Sequence, residues 1–298
     1  MDEQLKDRLR GMLVGLAVGD AVGAAVEFKK RDSYPPVADM IGGGPFNLPI
    51  GYWTDDTSMA LCLGESLKAS GGLDSKDLLG RFVNWYVRGH NSSTGVCFDI
   101  GMTTVNALEN YMEHGSTENN PGRNYSGNGS IMRLAPAVIY YHQDTDIAVA
   151  IAGAQSKTTH ANPLAVHSCE LLASILLRAL TATSKEEAIA VAPAEGWVDE
   201  VVAMTKPELW QRTRNDIRST GYVIDTLEAA IWCFYNTNNF ADAVLLATNL
   251  GDDTDTVAAV TGQIAGAYYG LDGIRKDWLD KLYAREQIIK LADDLMGA

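Results

Sequence analysis

Cysteine is scarce: Cys62, Cys97, Cys169 and Cys233 are the only four in 298 residues, far apart and without a Cys-x-x-Cys pair. A disulfide scaffold and a thiolate zinc site are thereby excluded, and the thiols read as buried or free in a reducing compartment. Basic side chains are also short in number, 24 Lys+Arg against 38 Asp+Glu, for a net charge of −14. Such a chain repels a phosphate backbone and an anionic lipid surface, so neither nucleic acid nor a membrane is expected as a partner. Long apolar runs are missing as well. Gly11–Val26 is interrupted by Asp20, and Thr256–Leu271 is short and rich in small and polar residues, so neither reads as a membrane span. The opening MDEQLKDRLR lacks the basic-then-apolar order of a secretion signal. A soluble, cytoplasmic protein is expected. Strand signals are almost absent: Val138–Tyr141 is the best candidate and reads equally well as helix. With no Pro- or Gly-rich linker and no internal repeat, residues 1–298 read as a single all-α domain.

What is present is helical periodicity and glycine in a pattern. Residues 5–26 read as a helix in which Gly11, Gly15, Gly19 and Gly23 recur every fourth position and share one side. Each glycine costs a helix roughly 1 kcal/mol relative to alanine, so the stripe predicts another backbone packed close against it. Residues 257–270 repeat the device with Ala258, Gly262, Gly266 and Gly270, and the two helices are expected to pack on each other in the centre. Further helices are predicted at 57–69, 76–88, 100–114, 164–181, 185–192, 221–235, 240–248 and 275–296, with loops at 30–53, 115–130 and 194–220.

Two acidic clusters open helices: Thr54-Asp55-Asp56-Thr57-Ser58 and Asp252-Asp253-Thr254-Asp255-Thr256. Asp and Thr cap helices, and carboxylates suit the positive end of the dipole, so capping is one reading. Each cluster nevertheless holds more carboxylates than a cap uses. Brought together, they would repel unless cations lay between them, and carboxylate and hydroxyl oxygens suit Mg²⁺, Mn²⁺ or Ca²⁺. A third segment, Tyr125-Ser126-Gly127-Asn128-Gly129-Ser130, is either an ordinary turn or a loop whose N–H groups receive phosphate. Glu27 stands at the end of the first glycine helix, where the dipole disfavours a carboxylate unless water solvates it. Asp99 lies between apolar residues and reads as a cap or a site residue; His160 reads as a turn histidine or a pocket residue.

The order Gly19-Asp20-Ala21…Glu27-Phe28, Trp53-Thr54-Asp55-Asp56-Thr57, Asp99-Ile100-Gly101, Gly127-Asn128-Gly129, Thr159-His160-x-x-Pro163, Gly221-Tyr222-Val223-Ile224-Asp225-Thr226 and Gly251-x-Asp253-x-Asp255-Thr256 resembles the ADP-ribosylglycohydrolase family, over about residues 8–290. The resemblance implies an orthogonal helical bundle with a central di-metal cleft. It implies two divalent ions, Mg²⁺ or Mn²⁺, held by Thr54, Asp55, Asp56, Asp253, Asp255 and Thr256. Glu27 would lie near the scissile bond and Asp99 would be a second acid reaching the site. Ser126, Gly127, Asn128, Gly129 and Ser130 would hold a diphosphate, with His160 and Tyr222 lining the pocket. The implied activity is metal-dependent hydrolysis of the N-glycosidic bond between ADP-ribose and a protein arginine. The alternatives are another ADP-ribose linkage, such as O-linked serine or a small molecule, or a non-catalytic binding member. Partners would be ADP-ribosylated protein and ADP-ribose, and a monomer is expected. Two departures stand out: Met102 where the type member has asparagine, facing the leaving group, and Asp252 where glycine is frequent.

Overall fold

Helices α1 (Glu3–Gly23) and α12 (Thr254–Tyr269) are buried on all sides along most of their length. They run antiparallel and back to back. A Cβ added at Gly11 would lie 2.4 Å from the Gly266 carbonyl oxygen, at Gly15 2.3 Å from that of Gly262, at Gly19 2.1 Å from that of Ala258, and at Gly23 2.4 Å from that of Thr254. The expected packing of the two small-residue helices is therefore present, and the glycines are required by it. The computed structural model describes residues 2–119, 122 and 126–297.

Around this pair stand α2 (Asp55–Ser70), α3 (Ser75–Arg88), α4 (Met102–His114), α5 (Ala135–Tyr140), α6 (Thr145–Lys157), α7 (Pro163–Ala179), α8 (Lys185–Ile189), α9 (Asp199–Met204), α10 (Val223–Tyr235), α11 (Phe240–Thr248), α13 (Lys276–Lys281) and α14 (Arg285–Met296). Among the described residues there is no strand; Gly43–Leu48 and Gly127–Tyr222 form isolated bridges. The outer helices follow ordinary rules. In α3 the buried residues Leu78, Leu79, Phe82 and Trp85 recur at three and four, Asp74 caps the start through the Lys76 and Asp77 N–H groups, and Gly89 ends the helix in the left-handed conformation. One apolar cluster runs from Leu9 to Met296. By length and hydropathy alone Glu3–Val26 would suffice to cross a bilayer, but 94% of its most apolar window is buried inside the protein.

Four expectations change, and one is the loop expected over 194–220, which contains α9 and a 3₁₀ turn at Pro207–Leu209. The ambiguous segment Val138–Tyr141 is helical, within α5 and its cap. Helix α6 was not expected, because its buried face is Ala148, Ala152, Gly153, Gln155 and Ser156, too small and polar to give a hydrophobic period, while Ile147 is exposed. The helix expected over 275–296 is broken: Leu282 is extended and Ala284 has φ 47°, and the Tyr283 N–H donates to the Gly51 carbonyl. Of the loop expected at 115–130, residues 120, 121 and 123–125, including Tyr125, lie outside the described residues.

The packing of α1 on α12 gives a paired expectation. Gly15→Ala forces a methyl group into backbone and should destabilise the protein by about 2 kcal/mol or more, within the range for an overpacked core. Gly80→Ala, in α3 with no atom within 4 Å of the new methyl group, should stabilise it by up to about 1 kcal/mol. Thermal unfolding of the two variants checks this; equal melting temperatures would contradict the packing.

Candidate active site

The antiparallel pairing brings the end of α1 to the start of α12. After α1 the chain makes a single 3₁₀ turn, Ala24–Val26, and Glu27 follows in extended conformation, 3% exposed. The next residues lock onto the acidic turn before α12: the Phe28 N–H donates to the Asp252 carbonyl and the Asp252 N–H to that of Lys29, each at 2.8 Å. Water therefore does not solvate the Glu27 carboxylate. Helix α2 arrives at the same place through Asp20, in α1 and fully buried. Its Oδ1 accepts from the Thr54 N–H (2.8 Å) and hydroxyl (2.9 Å), and its Oδ2 from the Thr57 N–H (3.0 Å) and hydroxyl (2.6 Å). Asp20 thus caps α2 from another helix.

Neither acidic cluster caps its own helix: the N-cap side chains of Thr54 and Asp253 make no capping hydrogen bond, and Asp99 stands three residues before α4, whose N-cap is Gly101. Instead the carboxylates converge. One oxygen each from Asp55, Asp56 and Asp255 lie within 4.8 Å of one another, as do one each from Glu27, Asp99 and Asp255. The Thr54 hydroxyl lies 2.9 Å from Asp20, 3.1 Å from Asp255 and 3.4 Å from Asp56, although its single proton serves one acceptor at a time. Thr256 Oγ1 lies 3.4 Å from Asp56 Oδ2. Asp253 lines the same cleft and in addition accepts at 2.8 Å from Asn128 Nδ2.

Burial, followed by the charges of neighbouring acids, raises the carboxyls of Asp55, Asp56 and Asp255 well above the usual range. The same two causes push Glu27 up to about 10, and burial pushes Asp99 up to about 7. Among the described residues Glu27 Oε2, Asp56 Oδ1 and Asp99 Oδ2 are buried without a hydrogen-bond partner. Buried, orphaned, mutually repelling oxygens fit hard divalent cations, and the donor set is all oxygen, as Mg²⁺ and Mn²⁺ prefer.

Above the acids lies a cleft of about 590 Å³, the size of a nucleotide-like ligand. Its floor is Glu27, Asp55, Asp99, Asp253, Asp255 and Thr256; Thr54 and Asp56 sit beneath them. One wall is Gly127, Asn128 and Gly129 with His160 behind them; a Cβ at Gly129 would lie 2.8 Å from the imidazole ring, so glycine is needed there. Asn128 joins this wall to the floor, donating to Asp253 and, at 2.9 Å, to the Thr226 hydroxyl. Ser130 is fully buried and its hydroxyl accepts from that of Ser156 at 2.8 Å, so it supports the wall without lining it. Ser126 and Tyr222 flank the wall through backbone pairing, with Gly221 lining the cleft beside the 37%-exposed Tyr222. The mouth is apolar: Phe28, 65% exposed with φ 61°, sits edge-on to Phe46, and Met102 is 69% exposed. Asp20 carried a weaker sequence signal than its role warrants, namely a lone acid inside a glycine-striped apolar run.

An acid-floored, glycine-walled cleft of this kind is the build of a hydrolase for an anionic sugar conjugate. The comparisons with known proteins agree. The family model described as ADP-ribosylglycohydrolase matches residues 1–298. The chain is 49% identical over 292 residues to "ADP-ribosylarginine hydrolase Tri1" of Serratia proteamaculans, covering 97% of this chain and 79% of that one. It is 32% identical over 248 residues to "ADP-ribosyl-[dinitrogen reductase] glycohydrolase" of Rhodospirillum rubrum, covering 82% and 78%. A solved chain titled "ADP-ribosylglycohydrolase-related protein complex" superposes with a TM-score of 0.88 at 39% identity, covering 99% of each. The protein belongs to the ADP-ribosylglycohydrolase family.

His160 yields a pH expectation. The Thr159 hydroxyl accepts from Arg133 at 2.9 Å and hydrogen-bonds to Nδ1 of the buried His160 ring at 2.8 Å. Burial, then the Arg133 charge, pushes its pKa down to about 3. NMR should show no His160 titration between pH 5 and 8. Because the unfolded chain binds a proton near pH 6.5 and the native one does not, His160 stabilises the fold above that pH. That stabilisation is lost as pH falls towards 3. A resonance titrating near pH 6.5 would contradict this.

Proposed function

We propose that the protein hydrolyses the N-glycosidic bond between ADP-ribose and arginine, removing ADP-ribose from modified proteins. The observation that carries the reading is the convergence of Glu27, Asp99 and Asp255 on one side and Asp55, Asp56 and Asp255 on the other, at the floor of one cleft. The names of the relatives from Serratia proteamaculans and from Pseudomonas putida, the latter 46% identical, support arginine as the linkage.

Asp55, Asp56 and Asp255, with the hydroxyls of Thr54 and Thr256, would hold two divalent cations, Mg²⁺ or Mn²⁺; Asp253 would complete the set or steer it through Asn128. When bound, such cations supply positive charge that fixes sugar hydroxyls and favours the ionised form of water. The rest falls to the chain. The backbone N–H groups of Gly127 and Gly129, both lining the cleft, receive the diphosphate, placing the ribose over the acids. Breaking the glycosidic bond builds positive charge on the anomeric carbon, and the floor carboxylates stabilise it. Glu27, buried at the cleft floor, is placed to take the proton of the attacking water, since neighbouring cations would hold its carboxylate ionised. Asp99, pushed up to about 7, is poised to return a proton to the departing guanidine. The same acidity draws in an arginine side chain, whose methylene stem meets Phe28 and Met102 at the mouth.

One observation favours a second reading. Met102 presents an exposed thioether where the guanidine would leave, and it offers no strong hydrogen-bond donor or acceptor. Another ADP-ribose linkage, such as O-linked serine, would tolerate that. Parallel assays on ADP-ribosyl-arginine and ADP-ribosyl-serine with Mg²⁺ or Mn²⁺ decide between them, and turnover of neither overturns both. For the arginine substrate, Glu27→Gln should lower kcat by about 10²–10⁴ while ADP-ribose still binds. Near-normal kcat in Glu27→Gln, with loss in Asp99→Asn, would reverse the two roles.

A further inference from the structure

Behind the glycine wall lies a charge that the chemistry above does not use. Arg133 is 0% exposed, yet its guanidinium forms no ion pair with any carboxylate among the described residues. It is held instead by neutral groups. Nε donates to Gln155 Oε1 at 3.0 Å, Nη1 to the Gly129 carbonyl at 3.0 Å, and Nη2 to the Gln155 carbonyl at 3.2 Å and the Thr159 hydroxyl at 2.9 Å. The Phe82 ring covers one face, 4.7 Å from the guanidinium carbon. An isolated buried cation is costly, and burial lowers its pKa to about 10. A cost of this kind points to a requirement met elsewhere.

Two geometric facts show where. The Gly129 carbonyl points at Arg133. That contact fixes Gly129 from behind, and Gly129 lines the cleft with an N–H that donates to no protein group among the described residues. Through Thr159, Arg133 also sets the His160 ring so that Nε2 lies against the glycine wall.

Resting on the reading of the cleft as an ADP-ribose site, we infer that Arg133 is a positioning residue for the diphosphate. Its buried charge is the long-range counterpart of the two phosphates, and its hydrogen bond to the Gly129 carbonyl holds the glycine wall that receives them, without touching the ligand. Neutral ligands or ligands without phosphate gain nothing from it. This separates Arg133 from a residue that merely holds the fold together, whose loss would weaken every ligand alike.

The test compares wild type, Arg133→Lys and Arg133→Gln in Mg²⁺ buffer, with ADP-ribose followed by calorimetry and adenosine by NMR titration. Arg133→Gln should weaken ADP-ribose binding about 10-fold to 100-fold and change adenosine binding less than 2-fold, and Arg133→Lys should recover part of the loss. Equal weakening of both ligands, or no weakening of ADP-ribose, overturns the inference. Should Arg133→Gln fail to fold, the Nε–H resonance of Arg133 in the wild-type protein carries the test. It should shift with ADP-ribose and stay in place with adenosine; any other pattern overturns the inference. Wild-type protein that binds no ADP-ribose at all overturns the functional reading and this inference together, whereas normal binding in Arg133→Gln overturns this inference alone.

Discussion

The backbone contact between α1 and α12 is the constraint on which the rest of the molecule depends. Helices with ordinary side chains keep their axes 8–10 Å apart. Here glycine at every fourth position removes the side chains from the seam, and each Cβ that glycine lacks would fall on a carbonyl of the facing helix. So close an antiparallel contact leaves no freedom of register. It fixes the end of α1, and with it Glu27, against the start of α12, and with it Asp255. The same helix carries Asp20 next to Gly19, and the four hydrogen bonds of that carboxylate bring the start of α2 to the same point.

The site so assembled works against folding. Buried carboxylates that act on one another chiefly through repulsion resist ionisation, and three of their oxygens lack partners among the described residues. A core selected for stability alone would replace them with apolar groups of similar size. Arg133 presents the same conflict with the opposite sign, on the other side of the cleft wall. A pocket with buried negative charge at its floor and a buried positive charge behind its wall is polarised along its length. That polarity matches a ligand with an electron-poor anomeric carbon at one end and phosphates at the other. Cations and ligand bound there would restore the stability given up at both places, since binding to the native state alone adds to its stability.

Much of this was legible in the sequence because it rests on repeats and on charge. The spacing of Gly11, Gly15, Gly19 and Gly23 announces a close backbone neighbour, and Ala258, Gly262, Gly266 and Gly270 supply it. The clusters at Asp55 and Asp253 carry too many carboxylates for caps, and neither proves to cap its helix. What stayed hidden depends on partners distant in sequence. Asp20 looks like an interruption of an apolar run until α2 is seen to start on it. Arg133 does not stand out in the sequence, because nothing local reveals that Phe82 and Gln155 enclose it. Helix α6 buries alanine, glycine, serine and glutamine, so it has no hydrophobic period to read. The Asp253 carboxylate shares the cleft with the other acids, and its further hydrogen bond to Asn128, linking floor to wall, could not be read from spacing.

The central claim is that these acids are arranged for divalent cations. It is tested most directly by calorimetric titration of chelator-stripped protein with Mg²⁺ and Mn²⁺, together with thermal unfolding at each concentration. The account predicts binding of two ions, a melting temperature that rises with ion concentration, and loss of both effects in Asp55→Asn. Absence of heat and an unchanged melting temperature with either ion would contradict it.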